Sequence, residues 1–188
     1  MTSKAIINLG IIEKVSVMNE FKKAIISGLE EYLSGLNKAI KGLSKAELNW
    51  QPSLESNSII YLIWHMARVE DNWINKVIGG NETVWIKNGW NEKFPFEEND
   101  YGKGYNKQDL ANFPSIDKDL VMEFYNEQRV EILKVIKDLS NEDLDKDYKR
   151  LTGELKKGYW ILGHVLVEES QHLGQVAYIR GMIKGLDN

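Results

Sequence analysis

At 188 residues the chain is long enough for one sizeable domain and short for two. It is 43% hydrophobic, enough for a core, and its 24 basic and 28 acidic residues give a net charge of −4 with both signs mixed and no basic cluster, which argues against nucleic acid as a partner. It has no cysteine, which excludes disulfides, thiolate metal sites and a cysteine nucleophile.

The N-terminal Lys4, Ala5, Ile6 and Ile7 are interrupted by Asn8, Gly10 and Glu13 too soon for a signal peptide. The first helix is predicted over about Glu13 to Lys41, with an apolar stripe of Met18, Phe21, Ile25, Leu29, Leu33, Leu36 and Ile40 stepping by three and four. A second runs from about Ser58 to Ile78, with Ser56, Asn57 or Ser58 as N-cap and Gly79-Gly80 as its end. It contains the longest apolar run, Ile59 to Trp64, which is far too short to cross a bilayer. No membrane partner and a cytoplasmic location are expected.

Residues 79 to 116 form a connection longer than bundles usually need, rich in aromatic residues that must pack on something: Trp85, Trp90, Phe94, Phe96 and Tyr101. A crossover between parallel helices needs such a length, and an ordered cover over one mouth of a bundle would read the same way. Val84 to Ile86 is the one strand candidate. The third helix is predicted from about Asp117 to Leu139, with Leu120, Phe124, Ile132, Ile136 and Leu139 inward and Gln128 interrupting the stripe, as a boundary polar residue or else as a partner supporting the site's ligands. The fourth runs from about Gly158 to Lys184. The prolines, at 52, 95 and 114, fall between helices. The reading is one all-α domain over residues 1 to 188, a four-helix bundle with a long aromatic-rich crossover loop between helices 2 and 3. Leu-Ser-Lys-Ala-Glu-Leu (43 to 48) and Leu-Ser-Asn-Glu-Asp-Leu (139 to 144) follow the first and third helices, and a histidine-bearing helix follows each. They suit either a duplicated helix pair or a common capping turn.

The fourth helix places residues 161, 165, 168, 172, 176, 179 and 183 on one stripe, apolar except for Glu168 and His172. His65 shares a stripe of the second helix with Leu62, Val69 and Trp73. A buried carboxylate must find a partner or neutralise. A hydrogen-bonded Glu–His pair, or a Glu–Arg pair with Arg68 or Arg180, is one way out. The other is a metal site, because Glu168 and His172 at i and i+4 can chelate one ion and a histidine on a facing helix can add a third ligand. Two imidazoles and a carboxylate suit zinc or non-haem iron, and nickel is compatible. His164 is also four residues from Glu168, so spacing alone leaves two chelates open, though His164 and His172, roughly 12 Å apart along the axis, cannot share an ion. Glu169 and His172 form one Glu-x-x-His element, and no second one exists to build a two-metal site. A His-Glu-x-x-His zincin motif is absent.

The segments Ser-Ile-Ile-Tyr-Leu-Ile-Trp-His-Met-Ala-Arg-Val-Glu-Asp-Asn-Trp-Ile (58 to 74) and Gly-His-Val-Leu-Val-Glu-Glu-Ser-Gln-His-Leu-Gly-Gln-Val-Ala-Tyr-Ile-Arg-Gly (163 to 181), with the loop around Asn88 to Asn106, resemble the DinB-like superfamily over nearly the whole chain from about residue 17. This group of bacterial four-helix bundles includes YfiT-like metal-dependent hydrolases, mycothiol-dependent maleylpyruvate isomerase and bacillithiol S-transferases. The most specific parts are His65 and the His-x-Gly-Gln element, His172 to Gln175. The resemblance implies that His65, Glu168 and His172 are the metal ligands. Many members carry His-x-x-x-His on the fourth helix; Glu168 stands here in place of the first histidine, as in the thiol-dependent branch.

The implied cofactor is one divalent ion, zinc, nickel or iron, with a low-molecular-weight thiol as cosubstrate and an electrophilic small molecule as substrate. Arg68 and Arg180 suit either a substrate carboxylate or an exposed surface position, and Trp64 and Trp90 are candidates for lining the pocket, although Trp64, Trp73 and Trp160 suit a core better. Gly174, in mid-helix, is expected to permit close helix approach beside the site. A metal-dependent hydrolase and a non-catalytic, stress-associated metal-binding bundle are the alternatives, and leftover apolar positions suit a homodimer.

Overall fold

Periodic apolar stripes of this length force helices that bury one face. The computed structural model describes residues 3–150 and 152–185, with side chains from residue 20 onward. In chain order the elements are α1 (Ser3–Ile40), α2 (Lys45–Asn49), α3 (Ile59–Glu70) with a π-helical continuation (Asp71–Ile78), α4 (Val84–Lys87), a 3-10 turn (Trp90–Glu92), α5 (Lys107–Ala111), α6 (Lys118–Asp138), α7 (Asn141–Asp145), β1 (Asp147–Lys149), β2 (Leu155–Lys157) and α8 (Gly158–Lys184). The four long helices are those predicted, except that α1 starts at Ser3 and not near Glu13, and they form a bundle in which α1 packs on α8, and α3 packs on both α6 and α8. On the α1 stripe Ile25, Leu29, Leu36 and Ile40 are buried. Met18 and the Lys4–Ile7 segment lie outside the described side chains.

The helix starts follow their capping chemistry. Ser58 accepts from the Tyr61 amide at the head of α3, and Asp117 accepts from the Asp119 and Leu120 amides at the head of α6. The two Leu-Ser repeats are both capping boxes, Ser44 with Glu47 and Ser140 with Asp143, and they open α2 and α7. Each then buries its closing leucine, Leu48 and Leu144.

Two local readings change. Val84 to Ile86 is helix, not strand. The buried Asp71 carboxylate accepts from the Val84 and Trp85 amides, both at 2.9 Å, and so caps the first turn of α4. The strands among the described residues are instead β1 and β2, an antiparallel hairpin that pairs Tyr148 with Lys156. Three-residue strands rich in lysine carry no usable alternation. Close approach of α1 to α8 comes from Gly28 and Gly35, where an added Cβ would stand 3.1 Å from Leu166 and 2.9 Å from Leu173. Gly174, expected to permit such an approach, has nothing within 4 Å of its would-be Cβ.

The connection between α3 and α6 packs along α3, from Tyr61 to Asp71 just past its end, and onto Phe124 and Glu127 of α6. Trp85, Trp90 and Phe94 are buried, and Phe96 stacks on Trp64 with ring centroids 4.1 Å apart. Its aromatic content is thus core, folded back from outside the four-helix frame.

Candidate metal centre

One face of α3 pins this loop by its backbone. Tyr61, His65 and Arg68 lie on successive turns, and each donates to loop carbonyls. The Tyr61 hydroxyl reaches Gly102 O at 2.7 Å, His65 Nδ1 donates to Tyr101 O, Arg68 Nε reaches Asp100 O at 3.0 Å and Arg68 Nη2 reaches Glu98 O at 2.9 Å. Gly102 is left-handed (φ +80°), and a Cβ there would stand 3.0 Å from Tyr61 Oη and 3.1 Å from His65 Nδ1. Glycine is what lets the loop lie this close to the histidine.

A carbonyl can only accept, so Nδ1 of His65 carries the hydrogen and Nε2 keeps its lone pair. Burial pulls the His65 pKa down to about 4, so the ring is neutral at neutral pH. It stacks on Tyr61 and meets His172 edge-on, with imidazole centroids 5.0 Å apart.

On α8, His164, Glu168 and His172 form a row at i, i+4 and i+8. Glu168 Oε2 lies 3.4 Å from His172 Nε2, and Oε1 lies 3.2 Å from His164 Nε2. The bond to His172 holds the Glu168 carboxyl below the usual carboxylate range, against the opposing effect of burial. The Nδ1–H of His172 donates to Gln175 Oε1 at 3.3 Å, and that oxygen also accepts from Asn57 Nδ2 at 3.5 Å.

His65, Glu168 and His172 offer ligand atoms that all lie within 4.8 Å of one another. The donor set fits a divalent ion for a further reason. Each ligand's outward atom already faces a protein group: Tyr101 O accepts from His65, Gln175 Oε1 accepts from His172, and His164 Nε2 lies 3.2 Å from Glu168 Oε1. Partners of this kind fix the tautomer and direction of metal ligands. What is left facing inward is one nitrogen from each of two imidazoles and one carboxylate oxygen, a set suited to zinc, iron or nickel. His164 stands outside the group, so of the two chelates that spacing left open, the geometry favours Glu168 with His172.

The residues expected to bind substrate are occupied otherwise. Arg68 is buried, its guanidinium holds two loop carbonyls beside Asp71 and over the Trp85 ring, and burial lowers its pKa to about 10. Arg180 donates to the Ala39 and Lys41 carbonyls at the end of α1, each at 3.2 Å. Trp64 is fully buried, and Trp90 is buried with its Nε1 on Glu127 at 2.9 Å. Each of the four holds the fold together. Main-chain carbonyls take both arginines, and no sequence pattern displays such acceptors.

A second polar cluster went unread in the sequence. Glu169 turns away from the His172 stripe into the bundle interior and is 1% exposed. It accepts from Tyr125 Oη at 2.5 Å, while Glu70 accepts from Gln128 Nε2 at 2.6 Å and from Arg129. Gln128 is therefore a fully buried network member, not a boundary residue. Two carboxylates share one guanidinium here. Burial, with Glu70 beside it, pushes the Glu169 carboxyl well up. The deeply buried glutamate is thus Glu169, and Glu168 sits half-buried at the site's edge.

The fold and site together define a helical bundle with a candidate His–Glu–His metal centre between two of its helices. Residues 29–176 match the family model of the DinB superfamily, and the chain belongs to that superfamily. A solved structure, a conserved protein from Enterococcus faecalis, is similar in fold with a TM-score of 0.76 at 19% identity, covering 87% of this chain and 97% of its own. No curated protein matches the sequence. No helix among the described residues is long and apolar enough to cross a membrane.

Proposed function

We propose that this protein is a metal-dependent enzyme that activates a low-molecular-weight thiol for transfer to an electrophilic small molecule. The observation that carries the reading is the three-residue donor set, each member directed by its own partner and the set half-buried at its Glu168–His172 edge. A divalent ion held there would lower the pKa of a thiol bound to it.

The chain's own residues support this in three ways. It has no cysteine, so a sulfur nucleophile has to come from a cosubstrate. His65 is neutral and so presents a lone pair without first losing a proton. The carboxylate at position 168, where many relatives are expected to carry histidine, favours the thiol-using branch.

The test is to load the protein with metal, supply a bacterial thiol and a panel of electrophiles, and compare His172→Ala. Thiol consumption by the wild type and its loss in the variant are expected. Equal rates for the two proteins would refute the reading, and turnover of esters or amides without thiol would mark a hydrolase.

A further inference from the structure

Two of the three histidines act as ligands in the reading above, and the third, His164, has no part in it. We infer that His164 is a positioning residue for the metal-ligating carboxylate: its Nε2–H holds Oε1 of Glu168, so that only Oε2 is left to face His172. The contacts are 3.2 Å on one side of the carboxylate and 3.4 Å on the other.

His164 is built to hold that direction. Its ring stacks on Trp160 with centroids 4.7 Å apart and an interplanar angle of 19°, and meets Trp73 edge-on at 6.1 Å. Trp73 is buried in the bundle, and Trp160 is covered by the Arg150 and Lys156 cations at 5.0 and 4.8 Å. Two indoles thus fix the plane of the imidazole, which a solvent-facing histidine would lack. His164 is not a fourth ligand, because the rise of the helix sets it roughly 12 Å from His172 along the axis.

A carboxylate with one oxygen spent on an N–H offers a metal the other oxygen alone. A carboxylate free on both oxygens can take two coordination positions. By holding Oε1, His164 keeps one position available for an exogenous ligand, which a catalytic site requires and a closed structural site does not. The inference rests on the metal reading of the triad and is independent of whether a thiol is the substrate.

The experiment uses the full chain with cobalt(II) as probe. Wild type, His164→Phe and His164→Gln are titrated, and the visible bands, which weaken as coordination number rises, are recorded beside metal X-ray absorption. His164→Phe keeps an aromatic ring against Trp160 and removes the donor, and circular dichroism checks that it folds. It is expected to bind cobalt about 10- to 100-fold more weakly, with fainter bands and an added oxygen in the first shell. His164→Gln, which restores an N–H, is expected to recover most of the wild-type affinity and spectrum. Wild-type affinity and spectrum in His164→Phe would overturn the inference. So would loss of a nitrogen from the first shell of that variant, which would make His164 a ligand. Failure of the wild type to take up cobalt is a different result, and it would remove the metal centre itself along with the inference.

Discussion

Burial keeps His65 neutral and a backbone carbonyl decides which of its nitrogens faces the site, so its chemistry comes from its surroundings as much as from its identity. Metal content of the purified protein should therefore fall from about one equivalent to near zero in both His65→Ala and His172→Ala, read by elemental analysis; full occupancy in both would refute the triad. Gln175→Ala leaves all three candidate ligands in place and frees the outward nitrogen of His172, so a drop of about 10-fold in zinc affinity is expected by competition with a chelator. These residues were legible because polar groups interrupt apolar stripes at helical spacing. The setting of Arg68 is hidden from the sequence for the opposite reason. An arginine in a helix displays its charge in the sequence, while the loop carbonyls that take it belong to residues 30 and 32 positions away.

The long helices followed directly from their periodicity, and their starts from Ser58 and Asp117. The short elements were less legible, since α4 depends on a carboxylate 13 and 14 residues upstream in α3's continuation. The Leu-Ser repeats carried more than their appearance, because each is a capping box whose acid is stabilised when ionised. Hydrogen bonds from Lys184 and from Ser44 lower the Glu47 pKa from 4.5 to about 2. A carboxyl whose folded pKa is depressed contributes stability above its unfolded value and loses it as pH falls through the folded value. Thermal melts should therefore show stability from this group declining between pH 4.5 and about 2. Glu47→Gln should flatten that decline, and an identical pH profile in the variant would count against the box as a source of stability.

Over the whole molecule, the bundle closes on two kinds of interior. One is aromatic, with Trp64, Trp85, Trp90 and Phe124 supplied by helix and loop together. The other is the polar cluster of Glu70, Tyr125, Gln128, Arg129 and Glu169, in which each member's partner lies on another helix or another turn. Removing the cation from such a cluster strands the buried Glu70 carboxylate that it pairs with. Arg129→Met should cost about 3–5 kcal/mol in urea unfolding. Glu169→Gln removes a carboxyl that burial already disfavours as an anion, so it should change stability far less; a loss as large as that of Arg129→Met would show that Glu169 is ionised.

The ladder from α3 to the loop has a consequence for how such a site diverges. Tyr61, His65 and Arg68 grip carbonyl oxygens, and every residue type supplies the same carbonyl. The clasp is therefore blind to the side chains of Glu98 and Asn99, which point to solvent. Those positions can be rewritten without loosening the histidine that the loop orients, provided Gly102 keeps its left-handed turn. A scaffold fastened through its main chain can change what its outer face recognises while the centre beneath stays in register.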